Sequence, residues 1–140
     1  MDSFKVLFVD DETDFLETLI KRMKKRKLDV SGVKSGEEAI EFLKKAEVSE
    51  KPVDIVVMDV KMPGMDGIQT LREVKKICPR TEVIMLTGHA CLEVAREGME
   101  SGAFDYLMKP VDMDELLFKI QDAYKKKTLQ EKRAKGSEDK

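Results

Sequence analysis

The sequence predicts an α/β fold in which a doubly wound, five-stranded parallel sheet is covered by helices on both faces. Three observations predict it. Largely apolar runs of strand length recur along the chain, amphipathic patterns of helical period lie between them, and helix-start residues stand at the matching phase. Strands and helices that alternate five times over make βαβ units with right-handed crossovers, and burial on both faces turns such strands into continuous apolar runs. The 140 residues are near the usual size of one domain, and no repeat or linker divides them.

The first strand is Phe4 to Val9, and it runs straight into Asp10 and Asp11. The first helix carries Phe15, Leu16, Leu19, Ile20 and Met23 on one face, with Asp14 and Glu17 at the spacing of an N-cap and its reciprocal acid. It closes in "KRMKKRK", Lys21 to Lys27, a solvated helix end favoured by the helix dipole. "LDVSGV", Leu28 to Val33, is the weakest strand. Ser35 with Glu38 opens a second helix bearing Ala39, Ile40 and Leu43. The strand Val53 to Met58 ends at Asp59, and "MPGMDG", Met62 to Gly67, has the chemistry of a tight turn feeding a helix capped by Asp66 with Gln69. That helix carries Ile68, Leu71, Val74 and Ile77. The strand Glu82 to Leu86 ends at Thr87. "HACLEVAREGMESG" has no cap pair and holds Gly98 in its interior, so the fourth helix is expected to be the least stable. The last strand, Phe104 to Met108, ends at Lys109, which Pro110 restricts to extended geometry. Asp112 with Glu115 opens a final helix bearing Met113, Leu116, Leu117, Ile120 and Ala123. Beyond Tyr124 the pattern fades into "KKKTLQEKRAKGSEDK", seven Lys or Arg against three Asp or Glu. A domain over 1–126 and a polar tail or start of a linker over 127–140 are expected.

Charged residues make up 39% of the chain and hydrophobic ones 41%, with a formal net charge of -2, which describes a well-solvated globular surface. That balance points to no direct nucleic-acid contact and no membrane contact, and the longest apolar runs, "VDIVVM" and "VIML", are too short to span a bilayer. "MDSFK" lacks the order of a signal peptide, so a cytoplasmic location is expected. Cys78 and Cys91 have no partner at metal-ligand spacing and read as reduced, semi-buried thiols.

In an open parallel sheet, ligands bind beyond the carboxyl ends of the strands. Asp10, Asp11, Asp59, Thr87 and Lys109 all stand at such ends and should converge on one edge. Three carboxylates brought that close repel one another unless a cation sits among them. An all-oxygen set with no imidazole or thiolate suits a hard ion, and few protein ligands with an open, wet site favour Mg²⁺ over Ca²⁺. A divalent ion, a lysine, a hydroxyl and a carboxylate together can hold a phosphoryl group and place one carboxylate in line for attack. Phosphoryl transfer to an aspartate is the chemistry this arrangement favours.

The pieces "VLFVDDE", "VVMDVKMPGMDG", "VIMLTGH" and "GAFDYLMKP" stand in the order and spacing of a known family. From Phe4 to Tyr124 the sequence resembles the response-regulator receiver domain of two-component signalling. "LTGH" with "GAFDYLMKP" is most similar in wording to receivers attached to sigma-54-dependent transcription activators. The resemblance implies a flavodoxin-like (βα)5 arrangement with strand order 2-1-3-4-5. It makes Asp59 the phosphoacceptor, taking a phosphoryl group from the phosphohistidine of a sensor histidine kinase. Asp11 and Asp59 would ligate Mg²⁺ directly, Asp10 largely through water, and the backbone carbonyl of Lys61 would complete the protein ligands. Lys109 would pair with the phosphoryl oxygens and Thr87 would hydrogen-bond them on activation. Tyr106 matches the switch aromatic. A ring there can turn inward as Thr87 moves, coupling the site to the face made by the fourth helix, fifth strand and fifth helix. Lys61 and His89 match positions that tune how long the phosphoryl group survives. The bond before Pro110 is implied to be cis. The implied partners are the kinase, a downstream effector domain or protein, and a second copy in a phosphorylation-dependent homodimer. Lys21 to Lys27 would serve the kinase as a docking surface.

The implied class is a signalling protein in transcription regulation and phosphorelay, enzymatic only toward its own phosphate. Rival classes fit parts of the sequence. An aspartate-nucleophile phosphatase needs an Asp-x-Asp pattern and a cap domain, whereas Asp10 and Asp11 are adjacent. A stand-alone protein-binding module would keep the fold without the chemistry. A flavin binder fits the fold alone, and the acidic rim would repel a phosphate arriving without a metal.

Overall fold

The computed structural model describes residues 4–60, 66–88 and 92–138. Its elements alternate from end to end: β1 (Lys5–Val9), α1 (Thr13–Lys25), β2 (Asp29–Val33), α2 (Gly36–Val48), β3 (Ile55–Asp59), α3 (Gly67–Ile77), β4 (Glu82–Thr87), α4 (Leu92–Glu100), β5 (Asp105–Met108) and α5 (Met113–Glu138). The sheet runs β2-β1-β3-β4-β5 with every neighbouring pair parallel. The chain winds outward in one direction to β2 and in the other through β3 to β5. The crevice between β1 and β3 is therefore the point where strand order reverses.

The period-two alternation of the strands sorts the core into two layers. Leu7, Val9, Val56, Met58, Val83 and Met85 face α2 and α3, meeting Ala39, Leu43, Leu71 and Val74. Val6, Phe8, Ile55, Val57, Ile84 and Leu86 face α1 and α5, meeting Leu16, Leu19, Met23, Leu116 and Ile120. Each fully buried aliphatic or aromatic side chain of this kind contributes about 2 kcal/mol of transfer free energy. The apolar runs and the helix faces read from the sequence are thus two halves of the same contacts.

Three of the four expected caps form. Ser35 accepts the Glu38 amide at 3.1 Å, and the Glu38 carboxylate reaches back one residue further than a capping box, to the Lys34 amide at 2.7 Å. Asp66 and Gln69 make the full reciprocal box. Asp112 accepts the amides of Asp114 and Glu115. The pair expected at Asp14 and Glu17 does not form: α1 starts at Thr13 behind Glu12, and Asp14 lies inside its first turn. Asp10 accounts for the early start, because its Oδ1 accepts the Glu12 N–H at 2.9 Å and closes the turn after β1.

Two further segments gain detail. Gly98 is more than a weak point in α4, since a Cβ there would lie 1.9 Å from Met85 Cε, so the glycine lets the helix lie close over the sheet. The expected polar tail is helical: α5 continues unbroken to Glu138, and Lys127 within it is buried. Its acidic partners, Asp54 at the base of the sheet and Glu131 one turn on in α5, explain why.

Cys78 caps the end of α3 from inside the core. Burial, with a smaller contribution from Glu47 beside it, pushes the thiol up to about 11. Because the thiolate is the nucleophile, iodoacetamide at pH 8 is expected to leave Cys78 unmodified in the folded chain and to alkylate it once denaturant is added. Peptide mapping checks this, and rapid labelling of the native protein would contradict it. Cys91 lies outside the described residues.

Candidate functional site

The carboxyl ends of β1 and β3 bring three carboxylates together. Asp10 follows β1 and is 1% exposed, Asp59 is the last residue of β3 and is 6% exposed, and Asp11 faces solvent. One oxygen from each lies within 4.8 Å of the others. Adjacent parallel strands with buried backbones force this approach, because Val9 pairs with Met58 and the next residues of each strand are the acids. Two buried carboxylates are costly in a low-dielectric interior unless a cation compensates them.

Lys109 supplies the compensating charge within the chain. Its Nζ lies 3.0 Å from Asp10 Oδ2, 3.5 Å from Asp59 Oδ2 and 4.0 Å from Glu12 Oε1. It also sits 4.5 Å above the Phe15 ring, which offers its electron-rich face to the ammonium. Burial pulls the lysine pKa down, but the hydrogen bond with Asp10 and the charges of Asp10, Asp59 and Glu12 outweigh it and hold the ammonium above its ordinary range. The backbone aims this side chain: the Lys109 amide donates to the Thr87 carbonyl at 2.8 Å, and the bond to Pro110 is cis.

Thr87 ends β4, half-buried, one residue beyond Leu86, the register partner of Asp59. A Cβ built on Gly88 meets no heavy atom within 4 Å among the described residues, so no packing demands a glycine there. Tyr106 pairs in register with Met85 and packs, half-buried, against the core layer that α2 and α3 cover. Asp10, Asp11, Asp59, Thr87 and Lys109 therefore share one sheet edge. Lys61 and His89 lie outside the described residues. In the run Lys21 to Lys27, Met23 is buried and every Lys and Arg is exposed.

Sequence reasoning missed three participants. The sequence pattern places Phe15 only on the core face of α1, although an aromatic four residues after the acid pair is a usable signal. Glu12 adds a further acid beside Lys109. Gly67, the first residue of α3, donates its amide to the Val60 carbonyl at 2.9 Å and seats the helix against the backbone of Asp59 and Val60. A glycine directly after an N-cap, where it weakens a helix, was its only signal.

Residues 6–121 match the family pattern of the response regulator receiver domain. The chain belongs to that family. Among curated proteins, this receiver domain is 35% identical over 122 residues to the transcriptional regulatory protein ZraR of Escherichia coli O157:H7, covering 87% of this chain and 26% of that protein. It is 34% identical over 118 residues to the DNA-binding transcriptional regulator NtrC of Escherichia coli K12, covering 84% of this chain and 24% of that one. The chain thus spans about a quarter of the length of the curated relatives it matches. A solved response regulator receiver domain from Clostridium thermocellum superposes with a TM-score of 0.82 at 36% identity, covering 91% of this chain and 98% of that one. A chain described as adenylate cyclase from Rhodopirellula baltica superposes over 99% of this chain and 100% of its own, with a TM-score of 0.89 at 29% identity. Among the described residues, no helix of the receiver domain is long and apolar enough to cross a membrane.

The cluster fits a hard divalent cation. Its donors are all carboxylate oxygens, one of them on an exposed residue that leaves water access.

Proposed function

We propose that this chain is a phosphoryl-accepting signalling switch, charged by the phosphohistidine of a sensor histidine kinase. A carboxylate oxygen of Asp59 attacks phosphorus, the phosphorus–nitrogen bond to the kinase histidine breaks, and an acyl phosphate forms on Asp59. What carries this reading is three strand-end carboxylates within 4.8 Å of one another with the Lys109 ammonium reaching two of them. Asp10, Asp11, Asp59 and the backbone carbonyl of Lys61 are the residues that would hold Mg²⁺, which when bound draws charge from the phosphoryl oxygens.

The remaining roles belong to the chain's own groups. Asp10 holds Lys109 in place and orients it toward the acceptor. Once Asp59 carries a phosphoryl group, Lys109 turns its charge to the new oxygens, and Thr87 donates a hydrogen bond to one of them. The space Thr87 leaves is filled by Tyr106, which alters the surface made by α4, β5 and α5. That surface then engages a downstream effector domain or protein, or a second copy of the chain. Lys61 and His89 set the lifetime of the acyl phosphate, and the exposed cations of Lys21 to Lys27 dock the kinase. The chain acts as a catalyst only toward its own phosphate, in the cytoplasm.

Intact mass after incubation with acetyl phosphate tests the reading. One phosphoryl group is expected to be gained in Mg²⁺ and none in EDTA. No gain in either would leave a receiver fold used as a binding module.

A further inference from the structure

The lysines at 125–127 resemble the start of a solvated tail in sequence, yet two of them close onto the base of the sheet, opposite the acidic edge. There the amino ends of β3 and β4 present two acids side by side. Asp54 precedes β3 and Glu82 opens β4, and the Glu82 amide donates to the Asp54 carbonyl at 3.0 Å. Both acids are also held from within the fold, Asp54 by β1 and Glu82 by α3. Asp54 Oδ2 accepts the Lys5 amide at 2.9 Å, and Lys75 Nζ lies 3.7 Å from Glu82 Oε1 while donating to the carbonyls of Pro79 and Thr81.

Consecutive residues of α5 meet these acids. Lys126 Nζ lies 3.2 Å from Glu82 Oε2, and Lys127 Nζ lies 2.8 Å from Asp54 Oδ1 and 2.7 Å from Glu131 Oε1. The Glu82 side chain is 2% exposed and that of Lys127 10%, so charges at this depth stay only because they are paired. Burial pulls the Lys127 pKa down, yet its bonds with Asp54 and Glu131 outweigh that and hold the ammonium charged.

Apolar packing does not account for the attachment. Leu129, two residues beyond Lys127, is exposed, and a cavity of about 300 Å³ opens between Lys127 and Glu131 on one side and Cys78 to Thr81 on the other. Residues 128–133 bury no side chain, so this end of α5 would fray in water unless something held it. We propose that Lys126 and Lys127, gripped by Glu82 and Asp54, form a charge clasp that fixes the distal half of α5 to the base of the sheet and makes residues 128–138 a rigid helical arm. The arm is tied to the strand that carries Thr87 at its other end.

Amide hydrogen exchange resolved by residue on the full 140-residue chain tests the clasp. In the unmodified chain, amides 128–133 are expected to be protected. Lys127→Ala keeps helix propensity, so loss of protection there reports the clasp. It should lower protection of 128–133 by roughly ten- to a hundredfold, the range of a charge-assisted hydrogen bond, with 114–123 unchanged. Free-chain exchange of 128–133 in the unmodified chain would overturn the proposal. So would unchanged protection in the variant, or an equal loss over 114–123. Should Lys127→Ala fail to fold, Asp54→Asn removes the charge that Lys127 grips while keeping an oxygen for the Lys5 amide. A selective loss over 128–133 there supports the clasp, and no change overturns it.

Discussion

Asp59→Asn is expected to abolish phosphoryl acceptance while making the chain harder to unfold in the absence of divalent ions. The amide is nearly isosteric with the carboxylate but is not a nucleophile toward phosphorus, so the mass gain with acetyl phosphate should vanish completely. The stability effect follows from counting charges. Asp59 is repelled by Asp10 and Asp11, each with an oxygen within 4.8 Å of it, and attracted by Lys109 at 3.5 Å. At an effective dielectric of about 20 each of these interactions is on the order of 4 kcal/mol, so two repulsions outweigh one attraction. Removing a buried charge also removes its desolvation cost. A gain of about 2 kcal/mol in EDTA is expected, read as a higher urea midpoint at unchanged slope. With Mg²⁺ the order should reverse, because the unmodified chain gains binding free energy that the variant, one ligand short, largely loses. A residual phosphoryl gain on the variant would place the acceptor elsewhere, and equal Mg²⁺ stabilisation of both proteins would remove Asp59 from the metal set.

Those charges were legible in the sequence because the fold is. The buried stretches of β1 and β3 are apolar up to the strand end, so Asp10 and Asp59 announce where those strands stop, and Lys109 directly follows the apolar end of the shorter β5. The helix faces were equally plain, since Leu16, Leu19 and Met23 or Leu71 and Val74 recur at helical spacing. Local patterns could not reveal partners far apart along the chain. Lys127 looks solvated until Asp54, 73 residues away, is folded beneath it, and Lys126 until Glu82 arrives from 44 residues away. The same blindness hid Phe15, whose ring serves the core of α1 and the ammonium of Lys109 at once. The cap at Asp14 failed for a related reason. The Glu12 amide already had an acceptor in Asp10, a residue whose obvious role lay in the site.

Gly67 is where fold and site are hardest to separate, and Gly67→Ala is expected to damage both. Alanine is ordinarily the better helix former by about 1 kcal/mol, so propensity alone predicts a gain. Contact geometry opposes it. A Cβ at position 67 would lie 2.6 Å from Val60 Cα, 2.7 Å from the Asp59 carbonyl oxygen and 2.9 Å from that of Val60. All three are backbone atoms, which no rotamer change can move aside. The first turn of α3 must therefore back away, stretching the bond from the Gly67 amide to Val60 and shifting the backbone that aims Asp59. Overpacking of this kind costs about 2–3 kcal/mol, more than propensity returns, and displacement of a reacting group by a fraction of an ångström slows transfer by roughly ten- to a hundredfold. Gly98→Ala supplies the contrast. Its new methyl would meet the Sδ and Cε of Met85, the mobile end of a flexible side chain 2.4 and 1.9 Å away, in the layer beneath α4. It should cost some stability by disturbing that layer while leaving the rate of phosphoryl acceptance within about twofold, because the backbone at Asp59 is not involved. Urea midpoints and acetyl phosphate rates measured on both variants decide the matter. If Gly67→Ala is phosphorylated as fast as the unmodified chain, the close seat of α3 against Asp59 serves packing alone.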